Sequence, residues 1–341
     1  MFSIHSLSPD IKARIKRSVL PRAPARLAAK FSSLTDERRA VIEDSLRRHY
    51  FTRPVWGKAS LTPQAYLESP EGREDFADHV WRRLQGFRDT VVPWLDAAHP
   101  LEGANILEIG CGTGSSTVAL AEQGANVVAI DVDKPSLNVA GDRLRAYGLN
   151  AELLHANATE APRLLRNRRF DFIIFFACLE HMTHCERIPA MRETWEMLPD
   201  GGLWCLVETP NRLWFFDFHT AHLPFYSWLP NDLAFEYARL SPRKPFCDSY
   251  REPTEEAMLS FLRQGRGVSF HEFDLAIKDA TQLNVVSSLP LWLRAASPLH
   301  VWELGWRMSL EGRFEACLMK MKPGIHRGFY QPSLDLIIRK D

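Results

Sequence analysis

The ten residues LEIGCGTGSS, Leu107 to Ser116, restrict this chain more than any other stretch. An apolar strand runs directly into Gly110, Gly112 and Gly114 and then into a helix. Without Cβ atoms the backbone can turn sharply and touch a ligand, which then lies over the helix N-terminus. The spacing is G-x-G-x-G, and the third glycine of the dinucleotide pattern G-x-G-x-x-G would fall on Ser115. An acid, Glu108, precedes the glycines on the strand, where it would repel a pyrophosphate. A second apolar strand ends in Asp131, 17 residues after Gly114. A carboxylate there can accept hydrogen bonds from both hydroxyls of a ribose.

Strand and helix keep alternating beyond this point. NILEIG, NVVAIDV, AELLHAN, FDFIIFFA and GGLWCLVETP read as strands, with STVALAEQG, PSLNVAGDRLRAYG and IPAMRETWEML as helices between them. Continuous apolar strands are buried on both faces, which predicts a parallel sheet covered by helices and a ligand at the strands' carboxyl ends. Residues 1–98 precede this core; Val80, Leu84, Phe87 and Val91 recur there at helical spacing. After the core, residues 99–211, comes an aromatic insertion at 212–253. TEEAMLSFLRQG (helix) and VSFHEFDLAI (strand) then resume the alternation over 254–276. A second helical insertion at 277–330 leads to a terminal strand, SLDLIIRK, at 331–341. The expected fold class is α/β: a doubly wound, mainly parallel seven-stranded sheet, with an N-terminal helical segment and insertions forming a lid.

Charge limits the partners. The 341 residues carry a formal net charge of zero, so no overall field draws in nucleic acid. Six scattered cysteines suit a reducing cytoplasm rather than a disulfide framework. No apolar run reaches membrane-spanning length, and a cytoplasmic location is the expectation. Lys12 to Lys30 holds seven basic residues and no acid, with Ile11, Ile15 and Val19 at helical spacing. Such a segment suits a surface helix packed on its own domain or on a second copy of the chain in a homodimer. A peripheral contact with an anionic membrane or an acidic partner is the alternative.

ILEIGCGTG, VVAIDVD, FDFIIFFACLEHM and LPDGGLWCLVETPN, in that order, resemble a class I S-adenosylmethionine-dependent methyltransferase. The resemblance covers residues 100–211 and, loosely, the terminal strand. It implies S-adenosyl-L-methionine as cofactor. Glu108, Gly110, Cys111, Gly112 and Gly114 would shape the pocket for its methionine half, Asp131 would hold the ribose, and Val132 would lie against the adenine. An acid after the third strand usually meets the adenine amino group; here Asn157, followed by Ala158, stands in that place and offers an amide oxygen.

The stretch FFACLEHMTHCER gathers Cys178, His181, His184 and Cys185 around Glu180. Four zinc ligands would have to converge within about 2.0–2.3 Å of one ion. Cys178 ends a strand while His184 and Cys185 approach the next helix, so no metal is expected and the thiols are read as buried packing. The resemblance places Glu180 and His181 at the substrate-facing rim of the cofactor pocket. The aromatic insertion adds His219 and His222, and any of the three histidines can be the general base. Asn211, Trp214 and Tyr226 are expected to face the substrate.

No N/D-P-P-Y/W follows the fourth strand and no Asp ends it, which argues against amide or adenine nitrogen acceptors and the metal-dependent catechol type. The expected function is transfer of a methyl group to a small-molecule acceptor, most simply a hydroxyl oxygen. A catalytically inactive cofactor-binding scaffold, or a sulfur, nitrogen, carbon, glycan or lipid-linked acceptor, is the competing expectation.

Overall fold

The computed structural model describes residues 31–52, 62–243, 246–247, 252–296 and 301–341; the basic segment Lys12–Lys30 lies outside them. Seven strands, β1 (Asn105–Ile109), β2 (Asn126–Asp131), β3 (Glu152–His155), β4 (Phe172–Phe176), β5 (Leu203–Pro210), β6 (Asn284–Ser288) and β7 (Ser333–Arg339), form one sheet. Their order is β3-β2-β1-β4-β5-β7-β6. β1 to β5 pair in parallel, while β7 runs antiparallel to both β5 and β6. Order reverses between β1 and β4, so the crevice that takes a ligand opens at the carboxyl ends of these strands.

Helix ends match their sequence signals. Asp133 accepts from the Ser136 amide to start Lys134–Tyr147, and Gly148, at φ +66°, stops it. The helix His184–Met197 begins earlier than its apolar pattern, because Thr183 and Glu186 form a capping box. One expected strand is wrong. VSFHEFDLAI contains the helix Phe270–Ala276, in which Ser269 and Glu272 form a capping box and Phe273 and Ala276 are buried. The sixth strand is instead NVVSS, an edge strand in which exposed and half-buried positions alternate up to the buried Ser288.

The N-terminal segment is helical as expected, and Val80, Leu84, Phe87 and Val91 are all buried. From Pro70 to Ala98 it runs through consecutive helical elements, loosening to π geometry over Asp78–Arg82 and Phe87–Val91. The fully buried Arg143 clamps this run to the core by donating to the carbonyls of His79, Val80 and Thr113. Among the described residues no helix is long and apolar enough to cross a membrane.

Candidate active site

A cleft of about 930 Å³ lies at the carboxyl ends of β1, β2 and β4, at the large end of the roughly 300–1,000 Å³ usual for ligand sites. Gly110, Gly112 and Gly114 all have positive φ, at +83°, +50° and +79°. A Cβ on Gly110 would lie 2.6 Å from Cys178 Cβ, and one on Gly114 2.8 Å from Ala140 Cα. A Cβ on Gly112 would meet nothing within 4 Å. Two glycines thus let the loop press onto its own core, and the third bares backbone toward the cleft. Asp131 fixes this shape: its carboxylate accepts from the amides of Gly112, at 2.7 Å, and Asp133, at 2.8 Å. Burial raises its pKa above the ordinary aspartate value. Val132 is 63% exposed on the cleft wall, an apolar face open to a planar ring.

Cys111, Asn157 and Ala158 also line the cleft. Asn157 departs from expectation. Its side-chain oxygen already accepts from the amide and hydroxyl of Thr159, each at 3.0 Å, which uses both lone pairs. Its remaining polar offering to a purine is the amide NH₂, a donor.

Glu108 stays beneath the loop, fully buried, and accepts from the Ser116 hydroxyl. Burial pushes its pKa up to about 7. The folded value lies above the ordinary 4.5, so ionisation penalises the ligand-free fold as pH rises from about 4.5 to 7. Glu108→Gln is therefore expected to be more stable than the parent above pH 7 by on the order of 3 kcal/mol. That gain should vanish toward pH 4.5, as read by urea denaturation across the range.

Beyond β4 the backbone strains: Ala177 has φ +41°, and Glu208, across the cleft on β5, has φ +58°. Asp335 on β7 holds the latter by accepting its amide at 2.6 Å, where the β5–β7 register shifts. Glu180 follows on a short 3₁₀ turn and is fully buried. Neither of its carboxylate oxygens has a hydrogen-bond partner, and burial pushes its pKa up to about 8. Behind the turn, Arg187 donates to the carbonyls of Leu179, Met182 and Arg266 and pairs with Glu272 at 2.5 Å.

His181 and His219 meet in the cleft, their ring centroids 5.5 Å apart. Both are held neutral, because burial lowers the pKa of each, that of His219 to about 3. Asp217 shapes the turn that carries His219 by accepting from the amides of His219, Thr220 and Ala221. His222 is exposed and lies off the cleft wall, so two of the three candidate histidines converge.

Glu180 itself is not on the cleft wall, and the other expected substrate contacts do not face the cleft either. Asn211 is buried, donating to the carbonyls of Phe329 and Gln331. Trp214 stacks on Trp306, and the fully buried Tyr226 packs edge-on against Phe261. Tyr226 and Phe235 build the insertion's own core and Trp214 joins the core of the sheet, whereas Phe218, Phe225 and Trp228 stay exposed. Cys185 is exposed rather than packed, whereas Cys178 lies beside the glycine loop. Tyr50, Tyr66 and His79, from the N-terminal helices, line the opposite wall. No motif marks them; only the helical stripe that docks their segment hinted at it.

A family model described as a methyltransferase domain matches residues 106–202. The chain carries a class I S-adenosylmethionine-dependent methyltransferase domain. The cofactor of this methyltransferase domain is S-adenosylmethionine, and the open Gly112 backbone, Asp131 carboxylate and Val132 face fit it. Relatives share the domain more than the whole chain. A cypemycin N-terminal methyltransferase of Streptomyces sp is 51% identical over 49 residues, 14% of this chain and 20% of that protein. A ubiquinone biosynthesis O-methyltransferase of Paraburkholderia phytofirmans is 30% identical over 152 residues, 42% of this chain and 64% of its own length. The solved magnesium protoporphyrin IX methyltransferase of Synechocystis PCC 6803 is 20% identical, with a TM-score of 0.36 over 53% of this chain and 80% of that one.

Proposed function

We propose that the protein transfers a methyl group from S-adenosylmethionine to a hydroxyl oxygen of a small-molecule acceptor. The observation that carries this reading is the convergence of two neutral imidazoles, His181 and His219, on the cleft that holds the glycine loop and Asp131. Several relatives named as ubiquinone biosynthesis O-methyltransferases support an oxygen acceptor. When bound, the cofactor supplies a methyl group made electrophilic by its sulfonium. Asp131 accepts the ribose hydroxyls, and the bare Gly112 backbone lets the methionine half approach. The Nε2 of His181 or His219 would take the proton of the acceptor hydroxyl as the methyl group passes from sulfur to oxygen. Alignment supplies most of the rate, and the base a further factor of roughly 10²–10⁴.

His181→Ala should lower kcat within that range and His219→Ala by less, since a pKa of about 3 makes its imidazole the weaker base; both should leave cofactor affinity within about twofold. His222→Ala should leave both unchanged. Turnover is read with labelled cofactor and a metabolite extract, and cofactor binding by isothermal titration. Cofactor binding without acceptor-dependent turnover in any extract would favour the inactive scaffold; undiminished turnover in both histidine variants would remove them as bases.

A further inference from the structure

We propose that Glu180, His181 and His219 form a binding site for one divalent transition-metal ion of the zinc type. The three ligand atoms lie within 4.8 Å of one another, on residues from the β4 turn and the aromatic insertion. His181 Nδ1 sits 2.8 Å from the Arg263 carbonyl, which can only accept, so Nδ1 carries the proton and Nε2 the lone pair. The Thr220 hydroxyl gives its hydrogen to the carbonyls of Gln264 and Gly265, so it accepts from His219 Nδ1 at 2.9 Å. His219 Nε2 is again the lone-pair nitrogen. These Nε2 atoms lie 3.9 Å and 3.7 Å from Glu180 Oε1, too far for hydrogen bonds.

Two lone pairs thus meet a buried carboxylate whose oxygens have no hydrogen-bond partner among the described residues. With Glu180 ionised, this cluster offers acceptors alone and calls for a cation. Ligands of a tetrahedral ion at about 2.0–2.1 Å sit roughly 3.3 Å apart, somewhat inside the 3.9 Å and 3.7 Å from Glu180 to the two rings and the 4.8 Å that bounds the whole set. Two imidazoles and one carboxylate leave a coordination position open, as catalytic zinc sites do, and disfavour magnesium, which takes oxygen ligands. Each ring also has the outer partner that metal-bound histidines show, a carbonyl for His181 and a hydroxyl for His219. The nearby Arg187 is already paired with Glu272. Of this donor set Glu180 and His181 come from the FFACLEHMTHCER stretch, and His219 from the aromatic insertion.

The inference takes its setting from the methyl-transfer reading, because His181 and His219 line the cleft. Loaded, the ion would occupy both Nε2 lone pairs and, in place of proton removal by an imidazole, would lower the pKa of an acceptor oxygen bound to it. The test does not depend on turnover. Metal-free full-length protein is titrated with Co²⁺ and followed by its visible ligand-field bands, with Zn²⁺ competition and Mg²⁺ as a comparison. Stoichiometric Co²⁺ binding, displaced by Zn²⁺ and not by Mg²⁺, is expected. Glu180→Gln, His181→Ala and His219→Ala should each weaken it by about 100-fold or more, and Thr220→Val by about 10–100-fold. His184→Ala, an exposed neighbour, should not. Retained S-adenosylmethionine binding shows that a variant is folded. No Co²⁺ or Zn²⁺ binding by protein that binds the cofactor would overturn the site and spare the methyl-transfer reading. Unchanged metal affinity in His219→Ala would overturn it equally, whereas absence of cofactor binding would strike the methyl-transfer reading alone.

Discussion

Asp131→Ala is expected to weaken S-adenosylmethionine binding by at least about 100-fold. A carboxylate in this place makes two charge-assisted hydrogen bonds to a ribose, each contributing about 1.5–3 kcal/mol, so their joint loss is about 3 kcal/mol or more. The same oxygens accept the Gly112 and Asp133 amides, so the alanine variant also releases the loop from its bound shape. Asp131→Asn, which keeps one acceptor oxygen, should fall between alanine and the parent. Acid should mimic the mutation. Binding needs the ionised carboxylate, and burial raises its pKa, so affinity should begin to fall at a pH above the ordinary 3.8. Isothermal titration of the variants and across pH checks both statements. Parent-like affinity in the alanine variant would place the ribose elsewhere.

The second large effect concerns stability. Arg187→Met should destabilise the fold by about 3–5 kcal/mol, because it strands the buried Glu272 without its partner. The turn bearing Glu180 and His181 loses its guanidinium anchor in the same step. Adding Glu272→Gln should restore much of the loss, since removing both charges avoids the uncompensated one. Urea midpoints of the two variants decide this. If the single variant matched the parent, the buried pair would not be holding the turn.

The glycine turn and the strand end beside it were legible because their geometry is local in sequence. Gly110, Gly112, Gly114 and Asp131 act through backbone conformation and strand ends, both of which leave short, ordered signatures. The sixth strand was not legible. Asn284–Ser288 is a short edge strand rich in serine, whereas the apolar run Val268–Ile277 contains the Ser269–Glu272 capping box and curls into a helix. Asn211, Trp214 and Tyr226 were assigned to the substrate by their position after β5, but packing turned them inward. The meeting of Glu180, His181 and His219 was half visible. The Glu-His pair announced itself, but its third member arrives from a separate insertion, and no spacing rule connects them. Asn157 shows the limit of residue type: the amide was the right inventory, but capping its own helix consumes the oxygen.

Both imidazoles take their orientation from one short piece of chain. Arg263 supplies the carbonyl that holds His181, and Gln264 and Gly265 supply those that hold Thr220 and, through it, His219. Gly265 is at φ +116°, and a Cβ there would come within 2.9 Å of His219 Nδ1, so the ring seats directly on bare backbone. The gap between the two rings is therefore copied from a covalent ruler, consecutive Cα atoms about 3.8 Å apart, rather than from the fit of two independent elements. Loosening the surrounding core would leave that gap nearly unchanged, whereas a side chain at position 265 would reset it.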